Sequence, residues 1–176
     1  MRKVTLYIAM SLDGYIADKY GKVDWLDGHG NDGDNMDAYS DFIKDVDTVI
    51  MGWNTYHQIT TELSPNEWVY EQLTSYIITH RALPSTDNIK FVSDDPCGIV
   101  KRLKKENGKT IWICGGGNIV QPLMQDGLID EYHICVIPTI LGSGIRLFGE
   151  FPNEIKLKLV RTQVYNGVPE LVYVCR

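Results

Sequence analysis

The chain has little of what binds metals, staples small domains or crosses membranes. Its four cysteines (Cys97, Cys114, Cys135 and Cys175) contain no Cys-x-x-Cys pair. Three of them lie inside apolar, strand-like runs, so buried free thiols are expected in place of a disulfide framework. The four histidines (His29, His57, His80 and His133) are scattered without metal-ligand spacing, and no metal is expected. Long hydrophobic runs are missing too. The apolar stretch after Met1-Arg2-Lys3 soon meets Ser11, Asp13 and Gly14, too short and polar for a signal peptide or a membrane span, so a cytoplasmic protein without a membrane partner is expected. Positive charge is also scarce: 17 Lys and Arg face 23 Asp and Glu, a net charge of −6. The one clear basic run, Lys101-Arg102-Leu103-Lys104-Lys105, reads as the solvated face of a helix, which argues against a nucleic-acid partner.

What remains is the composition of an ordinary globular protein, 44% hydrophobic and 23% charged. Its 176 residues suit a single domain over 1–176 with a core of its own. The most informative stretch is Thr110 to Val120. Ile111-Trp112-Ile113 reads as a buried strand, Gly115-Gly116-Gly117 as a turn, and Asn118 to Gln125 as a helix with Ile119, Leu123 and Met124 on one side. A strand, a glycine turn and a helix bring backbone N–H groups up to a phosphate, and three glycines remove every Cβ from the approach. A nucleotide cofactor is expected here; a tight turn without a ligand is the alternative.

The rest of the chain alternates strands and helices. Val4 to Met10 reads as a central strand, Ser11 to Gly14 as a turn, and Tyr15 to Ala17 as a short return. Asp18 to Gly33 is a long Gly- and Asp-rich loop, with Trp25 folding back over a pocket or core. Asn35 to Lys44 has helical spacing. Asp47 to Met51 is a strand, and Gly52-Trp53-Asn54-Thr55 then opens a second glycine junction into a helix, Tyr56 to Leu63. Glu67 to Gln72 reads as one more helical turn. Ser75 to Thr79 is a strand ending at His80-Arg81, Ile89 to Val92 another, and Pro96 to Glu106 an amphipathic helix. Asp130 to Pro138 is a long strand, Leu141 to Gly144 a loop, and Ile155 to Gln163 with Val168 to Cys175 a hairpin about Asn166-Gly167. The pattern is one α/β domain with an antiparallel β tail.

Five stretches, in order, carry a resemblance: Tyr7 to Ala17 (YIAMSLDGYIA), the tryptophan of VDWL (Trp25), Thr48 to Tyr56 (TVIMGWNTY), Ile111 to Val120 (IWICGGGNIV) and Val136 to Phe148 (VIPTILGSGIRLF). Together they resemble the dihydrofolate reductase superfamily, and more closely the reductase domain of the bifunctional riboflavin-biosynthesis deaminase-reductase, standing alone without the deaminase half. The resemblance implies a dihydrofolate reductase-like three-layer fold with a mixed, mostly parallel sheet and an antiparallel C-terminal hairpin. It implies an NADPH-dependent oxidoreductase that reduces a small molecule, the ribose carbon of an aminouracil ribosyl phosphate, and often a homodimer. A pterin or folate reductase, a diverged reductase of another small molecule and a non-catalytic nucleotide-binding protein stay open beside it.

Residue by residue, the resemblance lays Gly115, Gly116 and Gly117 against the cofactor pyrophosphate, with a cis peptide within the pair Gly115-Gly116 and N–H donors from Asn118 and Ile119. Gly52, Trp53, Asn54 and Thr55 form the second phosphate-facing turn, where Thr55 offers a hydroxyl. Many dihydrofolate reductases grip the 2′-phosphate of NADPH with a basic residue at the position of Trp53; here Arg81, with Thr79 and His80 beside it, is the compensating candidate. Ala9 and Ile16 match residues near the nicotinamide, and Trp25 the lip of the substrate pocket. Arg146 is a candidate for meeting a substrate phosphate, with a plain surface role as the alternative. Trp25, Trp53 and Trp112 are all expected near the site. Two positions depart from the riboflavin pattern: Cys114 stands where an acid commonly precedes the glycines, and Ile59 where an aspartate follows Thr55 by four residues. As catalytic groups only Asp13, Asp32 and Asp34 come into question. Asp13 doubles as a turn former, and Asp32, Asp34 and Asp37 double as a solvated acidic helix start.

Overall fold

The computed structural model describes residues 1–27 and 38–176. Within them an eight-stranded mixed sheet is built from β1 (Val4–Ser11), β3 (Val46–Gly52), β4 (Thr74–Ile78), β5 (Ile89–Val92), β6 (Thr110–Gly115), β7 (Glu131–Ile137), β9 (Leu157–Tyr165) and β10 (Val168–Cys175), in the order β5-β4-β3-β6-β1-β7-β10-β9. Every pairing from β5 to β7 is parallel; β10 then runs antiparallel to β7 and to β9. The expected mixed, mostly parallel sheet with an antiparallel C-terminal hairpin is therefore present. A second, two-stranded sheet pairs β2 (Tyr15–Ala17) with β8 (Ile145–Arg146).

Helices cover both faces. On one side α3 (Pro96–Leu103) and α4 (Gly117–Gln125) bury Ile99, Val100, Leu103, Ile119, Val120 and Leu123 against Val4, Leu6, Ile111 and Ile113 of the central strands. Asp95 caps α3 by accepting from Gly98 N–H at 2.9 Å, Pro96 enters the first turn, and Lys101 and Arg102 stay on the solvent side, so the sequence period and the caps agree. Each fully buried aliphatic side chain there contributes about 1.5–3 kcal/mol relative to exposure. On the other side α1 (Ala38–Lys44), α2 (Trp53–Gln58) and the π-helical turn Ile59–Leu63 close over Val49, Met51, Ile77 and Trp112.

The expected helical turn at Glu67 to Gln72 is a run of turns instead. Trp68 and Tyr70 both pack on the second core cluster. A spacing of two puts side chains on different sides of a helix, so their joint burial selects an irregular path. The helix expected to Leu63 after Thr55 is split into α2 and the π turn, and the one expected to Glu106 stops at Leu103. Among the described residues no helix is long and apolar enough to cross a membrane.

Candidate active site

The parallel strands deliver their carboxyl ends to one edge, and both glycine junctions sit there. β3 ends at Gly52 and β6 at Gly115, and Met51 pairs with Gly115 across the two. Adjacent strands bring the junctions into contact. A Cβ on Gly116 would stand 3.9 Å from Thr55 Oγ1, and one on Gly115 would stand 4.0 Å from the same atom. The peptide between Gly115 and Gly116 is cis, as the resemblance implies. Gly115 has φ +137°, a region L side chains rarely adopt, and a Cβ on Gly117 would press to 3.2 Å from the Arg146 carbonyl oxygen. Gly116 is the N-cap of α4 and offers no side chain to the first N–H groups of that helix. The result is a bare, donor-rich cradle with a hydroxyl on one wall.

A cation lies beside it. β4 runs parallel to β3, so the turn after Ile78 emerges next to the Gly52 junction. Thr79 is buried; its N–H donates to Val92 O and its Oγ1 accepts from Arg81 N–H at 3.2 Å, which fixes the turn. Arg81 lays its guanidinium 4.7 Å from the centre of the Trp53 ring. The residue that carries no charge at the second junction is thereby the platform for one that does. His80 and Asn54 are exposed beside them.

The lip is held from the other strands. Asp13 accepts from Ser11 Oγ at 2.6 Å, from Leu141 N–H at 3.1 Å and from Gly142 N–H at 2.7 Å. Led by the Ser11 hydrogen bond, these contacts lower its pKa from 3.8 to about 2 against a smaller desolvation push. An acid this strong is ionised at neutral pH and holds no proton to give; its work is to tie the Ser11 to Gly14 turn to the loop before β8. Arg146 follows in β8, its guanidinium 4.9 Å from the centre of the Tyr15 ring. Trp25 is half-buried with its Nε1 donating to Lys22 O, and that loop is tied to α2 where Gln58 Nε2 donates to Gly21 O. Asp32, Asp34 and Asp37 lie outside the described residues.

A family model for the RibD C-terminal domain matches residues 2–168. The chain belongs to that family. It is 44% identical over 174 residues to an uncharacterized protein, YwjB, of Bacillus subtilis (strain 168), covering 98% of each. It is 25% identical over 192 residues to the riboflavin biosynthesis protein RibD of Haemophilus influenzae, covering 88% of this chain and 52% of that one. Among solved structures it is similar to a putative riboflavin biosynthesis protein from Shewanella sp. PV-4, at 28% identity, a TM-score of 0.85 and 99% coverage of both chains.

Within this RibD C-terminal fold several expected site residues take other places. Ile59 opens the π turn and is 6% exposed, packed among Met51, Ile77 and Trp112; an apolar side chain at that position is drawn into the core. Trp112 is 3% exposed in the same cluster, its Nε1 donating to Tyr7 O, so it is a core residue beneath the site. Ile119 buries its side chain against Gly52, and its N–H already donates to Gly116 O at 2.9 Å, which removes it from the donors open to a phosphate. Ile16 and Ala9 are not among the displaced residues: Ile16, partly buried, packs against the core cluster under α3 and α4, and Ala9 of β1, also partly buried, pairs with Cys135 of β7.

Cys114 is a neutral thiol: burial pushes its pKa up to about 12, opposed by a hydrogen bond with Tyr70. Tyr70 was not singled out by sequence, since it sits in a run with no regular period. Burial raises its pKa first, and Cys114 second. Equally unmarked in the sequence is a buried polar group on β7, β9 and β10 formed by His133, Gln163 and Glu170.

Proposed function

We propose that this chain is an NADPH-dependent oxidoreductase of the riboflavin type, acting as a 5-amino-6-(5-phosphoribosylamino)uracil reductase or on a closely similar aminouracil. The observation that carries the reading is the meeting of the two glycine junctions, Thr55 against Gly115-Gly116, with Arg81 on Trp53 beside them. The residues fit a dinucleotide. Gly116 leaves the face of the cradle open, the start of α4 and the Thr55 hydroxyl meet a pyrophosphate, and Arg81 supplies the local cation that a chain of net charge −6 needs to hold a 2′-phosphate. The cofactor supplies the hydride when bound. The chain's part is to orient the ring near Ala9, to keep water out with the Trp25 loop and the Asp13-tied lip, and to bind the substrate phosphate with Arg146. Asp13, held as a carboxylate by the Ser11 hydroxyl and the Leu141 and Gly142 N–H groups, ties the lip and holds no proton to give at neutral pH. We propose further that the protein is a cytoplasmic homodimer. β9 ends the sheet order and exposes Leu159, Val160 and Val164, which supports pairing through that edge; light scattering on the purified protein tests it.

The test of the reaction is a titration of the protein with NADPH and NADH followed by tryptophan fluorescence, in which Trp53 is the reporter, and then turnover of the aminouracil phosphate beside dihydrofolate. Quenching by NADPH with oxidation of NADPH only in the presence of the aminouracil is the expected result. No response to either nucleotide sinks the reading, and turnover of dihydrofolate alone moves the substrate to the pterins.

A further inference from the structure

The segment 139–150, between β7 and β9, is a strap that runs from the lip to the glycine cradle and is fastened at both. On the lip side Leu12 N–H donates to Thr139 O at 2.9 Å, Leu147 N–H donates to Gly14 O at 3.0 Å, and Asp13 accepts from Leu141 and Gly142 N–H. Between these ties β8 pairs with β2 and sets Arg146 opposite Tyr15. On the cradle side the strap lies along the first turns of α4. A Cβ on Gly117 would stand 3.2 Å from the Arg146 carbonyl oxygen, and one on Gly149 would stand 2.6 Å from Gln121 Oε1. Gln121 Nε2 donates to Glu150 O at 3.1 Å. Leu147 is 1% exposed, buried in the cluster that holds Ile119, Val120 and Leu123 of α4.

Gly117 and Gln121 are four residues apart, so they share a side of the helix, and both meet the strap. The apolar residues of α4 point into the core, which leaves the Gln121 amide free of any packing duty there. What that amide adds is a donor that fixes the strap against the helix; what Gly149 adds is the missing Cβ that lets the two approach. Arg146 is thereby held from two directions. Its carbonyl rests against the start of α4, and its guanidinium lies 4.9 Å from the centre of the Tyr15 ring beyond the lip ties. A dinucleotide seated on the start of α4 fixes the turn on which the strap rests. An anion on Arg146 fixes the same strap from its other side. Whichever ligand binds first therefore supplies order that the second needs.

We infer that Gln121 is a positioning residue: by holding the strap against α4 it sets Arg146 for a phosphorylated substrate and couples that site to the dinucleotide. The inference rests on the reductase reading, which supplies both ligands, and Gln121 acts through the Glu150 carbonyl. The probes are NADPH, followed by tryptophan fluorescence, and ribose 5-phosphate, followed by calorimetry. Each is titrated into the full chain with the other absent and with the other saturating. In the parent each ligand should tighten the other by about fivefold, by the same factor in both directions. That factor corresponds to about 1 kcal/mol, the net strength of one ordinary hydrogen bond.

Two variants break the contact from opposite sides. Gln121→Met keeps the length and removes the donor. Gly149→Ala puts a methyl group where the Gln121 amide lies, and only the flexible end of that side chain has to move. Each should hold its affinity for NADPH alone within about twofold and bring the coupling below about twofold, and the double variant should lose no more than either. Neither substitution changes charge, so repulsion between the two anions is the same throughout and the difference isolates the strap. A bond that only stabilised the fold would move the thermal midpoint and leave the coupling alone. Should Gly149→Ala fail to fold, Gln121→Met decides. No binding of ribose 5-phosphate, no coupling in the parent, coupling unchanged in the variants, or additive losses each overturn the inference and leave the reductase reading standing. A fall of about tenfold or more in affinity for NADPH alone overturns it as well, by making Gln121 a cofactor ligand. No response of the parent to NADPH overturns both.

Discussion

Arg81 rests its guanidinium on the indole of Trp53, 4.7 Å from the ring centre. Such a contact orients a flat cation without neutralising it, and its fork of donors stays open toward the Gly52 junction. If this is the 2′-phosphate grip, Arg81→Gln should weaken NADPH binding by about tenfold to a hundredfold, the equivalent of ~1.5–3 kcal/mol for a charge-assisted hydrogen bond, and leave NADH nearly unchanged. Fluorescence titration with both nucleotides reads the difference. Equal losses for the two would assign Arg81 to the stacking platform alone.

The glycine cradle makes a second, separable prediction. A Cβ on Gly116 finds no described atom nearer than Thr55 Oγ1 at 3.9 Å, an ordinary contact. A methyl group there fits the protein yet stands on the face left open for a phosphate. Gly116→Ala should therefore keep its thermal midpoint within a few degrees, since a ΔΔG of 1 kcal/mol moves it by about 2–8 °C, while NADPH affinity falls at least about tenfold. A Gly144→Ala control should behave in the opposite way. Its Cβ would meet Ala17 O at 2.2 Å with φ at +152°, so the fold should suffer first.

The difference between what the sequence shows and what it hides follows from distance along the chain. Glycine turns and apolar periods are local, so β1, β3, β6 and α4 and the hairpin of β9 and β10 are readable within a few residues, as is the junction at Gly52 to Thr55. Cross-strand register is not local. His133 and Glu170 are 37 residues apart, and nothing in either neighbourhood announces the partner. β8 is two residues long, below any period. Trp112 and Ile59 look like site residues by position alone, and only the direction of their side chains sends them to the core.

The cysteines should sort by environment. Cys97 and Cys135 have pKa values pushed up to about 11, and Cys114 to about 12, all chiefly by burial. At pH 7.5 the thiolate fraction of each is on the order of one in a thousand or less. Cys175 is exposed. Iodoacetamide at pH 7.5 should modify Cys175 first by a wide margin, with Cys114 protected until the chain unfolds, as peptide mass spectrometry of timed samples would show. Early modification of Cys114 would mean that the thiol beside the glycines is activated, contrary to its surroundings.

Asp13 provides a test by pH. Its pKa is lowered to about 2 from 3.8, first by the Ser11 hydroxyl and then by the Gly142 and Leu141 N–H groups. A depressed folded-state pKa means that the unfolded chain binds the proton more readily. The stabilising contribution is therefore complete above the ordinary carboxylate value and is lost as pH falls from about 4 to about 2. In that window the Ser11 to Gly14 turn should detach from Leu141 and Gly142, visible as loss of amide protection at those two residues before the central strands exchange. Asp13→Asn keeps the acceptor oxygen and removes the charge, so its Gly142 amide should exchange faster at neutral pH and show no further change across the same window. Turnover, if Asp13 only ties the lip, should fall mainly through substrate KM; a collapse of kcat with KM preserved would make it part of the chemistry instead.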